Sequence, residues 1–158
     1  MKERRTTEVP IGELVVAGSE DTLTCQAIGS CVVIILYDPK YKVSALIHAM
    51  LPSSKAHTSM HLRALTDDVR YVDTAIDDAL KRMLGKGSKR EDLEAKLVGG
   101  ANMFGLSNSD IGTENVLSAK EKLKKEGIKL IGECVGGSQG RSVEFCVETG
   151  IVAVKTEF

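Results

Sequence analysis

The chain has 158 residues, 42% hydrophobic and 27% charged, which is the usage of one globular domain and excludes a disordered segment. Its 21 basic and 22 acidic side chains leave a net charge of −1, without the basic field that a nucleic-acid-binding domain carries. The longest apolar run, residues 31–37, is too short to span a bilayer, and no apolar run follows the charged N-terminus, so a cytoplasmic domain without membrane insertion is expected.

Residues 1–10 read as a polar lead-in ending at Pro10, ahead of a single domain over residues 11–158. Leu14-Val15-Val16-Ala17 is a short strand. Residues 32–37 are β-branched and continuous, a strand buried on both faces. Asp38-Pro39-Lys40-Tyr41 carries turn chemistry, and residues 43–50 return as a second strand. Val69, Val72, Ile76, Ala79, Leu80, Met83 and Leu84 recur at helical spacing, with Gly85 and Gly87 as the stop. Ser88-Lys89-Arg90-Glu91 matches a capping box that starts a short helical turn. Residues 93–98 form a strand. A second helix runs from Asp110 to Glu126, with Leu117 and Leu123 inward and Gly127 as its stop. Residues 128–135, 143–147 and 151–155 read as strands. Strands, helix, strand, helix, strands is an α+β order, not a regularly alternating α/β one.

Four cysteines stand at 25, 31, 134 and 146, without Cys-x-x-Cys spacing, so each is buried filler or a reactive thiol. Cys134 and Cys146 fall in strands and read as filler. Cys31 has a candidate partner. With Asp38–Tyr41 as the turn, Tyr37 pairs with Lys42 and Cys31 faces His48, close enough for a thiol and an imidazole to meet. A thiolate is a nucleophile, and an imidazole can take its proton and return it to a leaving amine. Gly29 and Ser30 add little bulk beside the thiol, leaving N–H groups to face a developing oxyanion. The competing reading makes Cys31 a small hydrophobe and His48 a satisfied core histidine.

The blocks Gly29-Ser30-Cys31-Val32, Tyr37-Asp38 and His48-Ala49-Met50-Leu51-Pro52 resemble the opening of the CheD family of chemoreceptor glutamine deamidases. The resemblance continues at Ala95-Lys96-Leu97-Val98-Gly99-Gly100-Ala101-Asn102-Met103 and Ile111-Gly112-Thr113-Glu114-Asn115. It returns at Gly136-Gly137-Ser138-Gln139-Gly140-Arg141-Ser142-Val143 and Glu148-Thr149-Gly150. The resemblance implies a single domain of stacked β layers flanked by helices, similar to cytotoxic-necrotizing-factor-type cysteine hydrolases. It implies hydrolysis of glutamine side-chain amides on methyl-accepting chemotaxis receptors, with Cys31 as nucleophile, His48 as base and no cofactor or metal. The family's third catalytic residue is a threonine six positions before the cysteine. Cys25 occupies that position here, with Thr24 beside it, so either Thr24 orients His48 or another group does. Two other activities stay open: an adaptor for a CheC-type phosphatase of phosphorylated CheY, and hydrolysis of receptor glutamyl methyl esters.

The remaining motifs read more plainly. His57 and His61 stand four apart, but no cysteine or carboxylate nearby completes a zinc set, so a solvated or receptor-contacting loop is expected. Asp67-Asp68 complements a helix start, and Asp77-Asp78 falls partly on a solvent face. Gly99-Gly100-Ala101 lacks the residues of a phosphate loop and reads as a close backbone approach. Gly136-Gly137-Ser138-Gln139-Gly140 is a turn that Arg141 anchors by hydrogen bonding, and the lysines over residues 120–129 make a solvated helix face.

Overall fold

In the computed structural model, which describes residues 3–53, 70–103 and 110–157, two sheets stack face to face and two helices cover one of them. The first sheet orders β1 (Arg5–Glu8), β3 (Asp21–Ile28), β8 (Gly140–Cys146) and β9 (Ile151–Glu157). The second orders β2 (Leu14–Ala17), β5 (Val43–Ala49), β4 (Val32–Asp38), β6 (Glu94–Gly99) and β7 (Lys129–Val135). Pairing is antiparallel except for β1 with β3 and β6 with β7. The helices are α1 (Val72–Gly85) and α2 (Ile111–Lys125).

β4 lies at the centre, buried throughout, because its two faces serve two cores. Val32, Ile34 and Leu36 pack with Ala45 and Ile47 under Ile76, Ala79 and Met83 of α1 and Leu123 of α2. Val33, Ile35 and Tyr37 face the other sheet, meeting Leu23, Cys25, Ile28 and Phe145. Each such side chain contributes about 1.5–3 kcal/mol when fully buried. The Tyr37 hydroxyl crosses the layer to donate to the Val147 carbonyl at 2.7 Å.

Several expectations change. Within the polar lead-in, residues 5–8 form an additional strand, β1, exposed at the edge of the first sheet, and Val9 is buried behind it. β3 is an additional strand. Its polar–apolar alternation turns Leu23 and Cys25 inward, and a bulge with Ala27 at φ 53° brings Ile28 inward as well. Ser88 does not cap a helix. Its hydroxyl donates to the Asp38 carboxylate at 2.6 Å, and residues 90–92 form one 3-10 turn without a side-chain cap. α2 starts where expected, and Asp110 caps it by accepting from the Thr113 N–H at 2.8 Å. Leu117, however, points outward at 54% exposure, because the inward stripe runs through Gly112, Asn115, Ala119 and Leu123. Cys134 and Cys146 are partly exposed rather than filler. Val69, His57, His61 and Asp67-Asp68 lie outside the described residues. No helix among the described residues is long and apolar enough to cross a membrane.

Candidate active site

The β4–β5 turn sets the register between the two candidate residues. Asp38 is not in the loop: one carboxylate oxygen accepts the Lys40 and Tyr41 N–H groups, and its carbonyl accepts Lys42 N–H. Lys42 takes a left-handed φ of 56°, so the loop is residues 39–42 and Asp38 pairs with Val43. The expected register therefore moves by two residues, and His48 lies opposite Val33 rather than Cys31. Because side chains alternate with a period of two, this even shift leaves His48 beside Val33 on the face toward the other sheet. Cys31 is the bend residue just before β4, and it lies within Coulombic range of Cys25, which is buried between the sheets, so it stands at the inter-sheet side of the hairpin's open end.

His48 is 3% exposed and held at every polar group but one. Pro10, Ile11, Gly12 and Glu13 form a tight turn, with Gly12 at φ 82° and Glu13 N–H donating to the Pro10 carbonyl. From that turn, Gly12 N–H donates to the His48 carbonyl at 2.7 Å, and the Glu13 carbonyl accepts the His48 N–H at 3.0 Å. The Val9 carbonyl lies 3.1 Å from Nδ1 of the ring. A carbonyl can only accept, so Nδ1 carries the proton and Nε2 holds the lone pair. Nε2 is buried and has no hydrogen-bond partner among the described residues. Burial pushes the His48 pKa down, outweighing the opposing Val9 hydrogen bond, so the ring is neutral at neutral pH.

The residue that orients His48 is therefore not Thr24 through its side chain. Leu23 and Cys25 are both buried between the sheets, which turns Thr24 to the other face of β3. Thr24 acts through its backbone: its carbonyl accepts Val9 N–H at 2.8 Å and so anchors the residue that holds the imidazole. Cys25 also joins this set, its thiol donating to the same Val9 carbonyl at 3.5 Å. Burial pushes the Cys25 pKa up to about 12, so it stays a thiol. Burial likewise pushes the Cys31 thiol up, opposed by its own N–H beside the sulfur. At rest the pair is thiol and neutral imidazole, not an ion pair.

The backbone around Cys31 is fixed from the opposite side. Gly100 N–H donates to the Cys31 carbonyl at 2.7 Å and Ala101 N–H to the Gly29 carbonyl at 2.9 Å. Gly99, at φ 112°, is the close approach expected there: a Cβ on it would strike the Cys31 carbonyl. Arg141 clamps this loop as well as the turn it was expected to anchor, donating to Gly99 and Gly136 at 3.3 and 2.8 Å. Sequence reading missed the Val9 carbonyl altogether; the Pro-x-Gly turn beside His48's strand was its one signal. Among the described residues, no group of three or more His, Cys, Asp or Glu could hold a metal ion.

Comparison with known proteins points the same way as these blocks. The family described as CheD chemotactic sensory transduction matches residues 50–156. A probable chemoreceptor glutamine deamidase CheD of Caldanaerobacter subterraneus subsp. tengcongensis is 40% identical over 158 residues, covering 98% of this chain and 94% of its own length. The chemoreceptor glutamine deamidases CheD of Thermotoga maritima and Halalkalibacterium halodurans are 39% and 38% identical, covering 93% and 94% of this chain and 89% and 92% of their own lengths.

Proposed function

The chain belongs to the CheD family, and we propose that it hydrolyses glutamine side-chain amides on chemotaxis receptors, using Cys31 as nucleophile and His48 as base. Nε2 of His48 takes the Cys31 proton as sulfur attacks the carboxamide carbon, so proton transfer accompanies attack and no standing thiolate is required. The imidazolium then gives that proton to the departing nitrogen, releasing ammonia and leaving a glutamyl thioester on Cys31. Water, deprotonated by the same Nε2, hydrolyses the thioester to glutamate and the free thiol.

One observation carries this reading: a buried imidazole has Nδ1 tied to Val9 and Nε2 unpartnered, between the same sheets as Cys25, within whose Coulombic range Cys31 lies. A core histidine with no chemical task would have both nitrogens paired, since an unsatisfied buried polar atom costs about 1–3 kcal/mol. The test is incubation with a chemoreceptor cytoplasmic fragment, reading ammonia release and glutamine-to-glutamate conversion by mass spectrometry. Cys31→Ala is expected to abolish both, and His48→Ala to slow both half-reactions. Ammonia release by Cys31→Ala would overturn the assignment. Methanol from a methylated receptor without ammonia would make the protein an esterase. Stimulation of a CheC-type phosphatase without receptor turnover would make it an adaptor.

A further inference from the structure

We propose that Asn115 is a positioning residue for this reaction: from α2 it fixes the peptide joining Ser30 to Cys31, so that the Cys31 N–H faces the oxygen of the reacting amide. The inference rests on Cys31 being the nucleophile.

Asn115 is fully buried on the inward face of α2, beside Gly112, Ala119 and Leu123. Its Nδ2 donates to the Ser30 carbonyl at 2.8 Å and to the Met50 carbonyl at 3.2 Å. The β4–β5 ladder ends at Val32 opposite Ala49, so these two carbonyls lie just past its last rung. One amide group thus closes the open end of the hairpin, joining the residue before Cys31 to the residue two beyond His48. α2 reaches this position because Gly112 packs against the loop: a Cβ there would come within 2.7 Å of Gly100 and closer still to the Ala101 carbonyl.

The consequence for chemistry follows from peptide geometry. Gly29, Ser30 and Cys31 have all three carbonyls engaged, by Ala101 N–H, Asn115 Nδ2 and Gly100 N–H respectively. In a trans peptide the C=O of one residue and the N–H of the next point in opposite directions. Holding the Ser30 carbonyl on Asn115 therefore turns the Cys31 N–H away from α2, and this N–H lies beside its own sulfur. A carbonyl carbon attacked by that sulfur develops its negative charge within reach of the same N–H. Aspartate at 115 would set a carboxylate oxygen, in place of Nδ2, against two carbonyl oxygens. Alanine would leave both carbonyls without this donor.

The test measures kcat and KM for receptor deamidation in Asn115→Asp and Asn115→Ala, with kcat expressed per folded protein, the folded fraction of each variant being read from far-UV circular dichroism and its thermal melt. Loss of folded protein lowers rate and folded fraction together and leaves this ratio unchanged. A misaimed oxyanion donor lowers the ratio by about 10–100-fold, with KM within about twofold. An unchanged ratio, or a change in KM alone, overturns the proposal. A second measurement needs no variant: a receptor peptide with an aldehyde replacing the glutamine carboxamide adds the Cys31 S–H across its C=O, giving a hemithioacetal. In 15N-labelled wild-type protein, the Cys31 amide proton is expected to move downfield in this adduct, and an unmoved resonance overturns the assignment. An aldehyde that leaves Cys31 open to alkylation, or deamidation by Cys31→Ala, removes the nucleophile and the proposal with it. A dead Cys31→Ala beside fully active Asn115 variants removes only the role of Asn115.

Discussion

The Val9 carbonyl holds Nδ1 of His48 at 3.1 Å, although 39 residues separate the two in the chain. This bond selects one tautomer of the imidazole and leaves Nε2 as the basic atom. Long-range 1H–15N NMR of the resting protein is expected to find His48 protonated at Nδ1 near pH 7.5. A ring protonated at Nε2 would be the wrong tautomer for a base, and would contradict the assignment.

Thr24 anchors Val9 through a main-chain carbonyl, which a side-chain substitution does not remove. Thr24→Val is therefore expected to keep kcat for deamidation within about twofold, inside the roughly 0.5 kcal/mol of a neutral substitution. A fall of about 100-fold at unchanged Tm would return the orienting role to the Thr24 hydroxyl, since such a fall corresponds to about 2.7 kcal/mol in the transition state.

Three of the four thiols are expected to alkylate in an order opposite to a search for one activated cysteine. Burial raises the Cys146 thiol, but hydrogen bonds at Thr149 and Glu148 and the charge of Arg4 together bring it below its ordinary value, and it is partly exposed. Cys31 is pushed up by burial, and Cys25 to about 12. Iodoacetamide labelling between pH 7 and 8, mapped by peptide mass spectrometry, should find Cys146 ahead of Cys31, with Cys25 last. Cys31 labelling first would mean a standing thiolate, and the coupled proton transfer described above would be wrong.

His48 also makes stability depend on acidity. Its folded pKa lies below the ordinary 6.5, so above 6.5 the ring is neutral both folded and unfolded and adds no pH dependence. As pH falls below 6.5 the unfolded chain takes the proton first, and stability is lost until the folded ring also titrates. Tm of the wild-type protein should therefore fall more steeply below pH 6.5 than Tm of His48→Gln. Parallel curves would mean that the buried ring titrates normally.

What could be read from the sequence was whatever depended on local pattern. The apolar run of β4, the start of α2 near Asp110 and the strand over Glu94–Gly99 each carry a local signal of their own. β1 carries none: its four residues are exposed and polar, and it exists because parallel pairing to β3 satisfies its backbone. The orienting group of His48 was equally invisible, since a main-chain oxygen has no residue type to announce it. Leu117 was misplaced because an apolar residue on a mostly polar helix reads as inward, while the face that packs is lined by Gly112 and Asn115. The hairpin register was missed by two because the Asp38 carboxylate binds the loop amides from outside the loop, displacing the turn by one position.

That displacement separates changes the hairpin tolerates from those it does not. Sliding the bend one step along the chain, without altering its size, moves the strands past each other by an even number and leaves the imidazole turned toward the other sheet. Adding or deleting a lone residue in the arm between the bend and His48 is an odd change and sends the imidazole to the helical side of the sheet. An engineer grafting loops onto this hairpin can therefore vary the bend freely, provided that arm keeps its count.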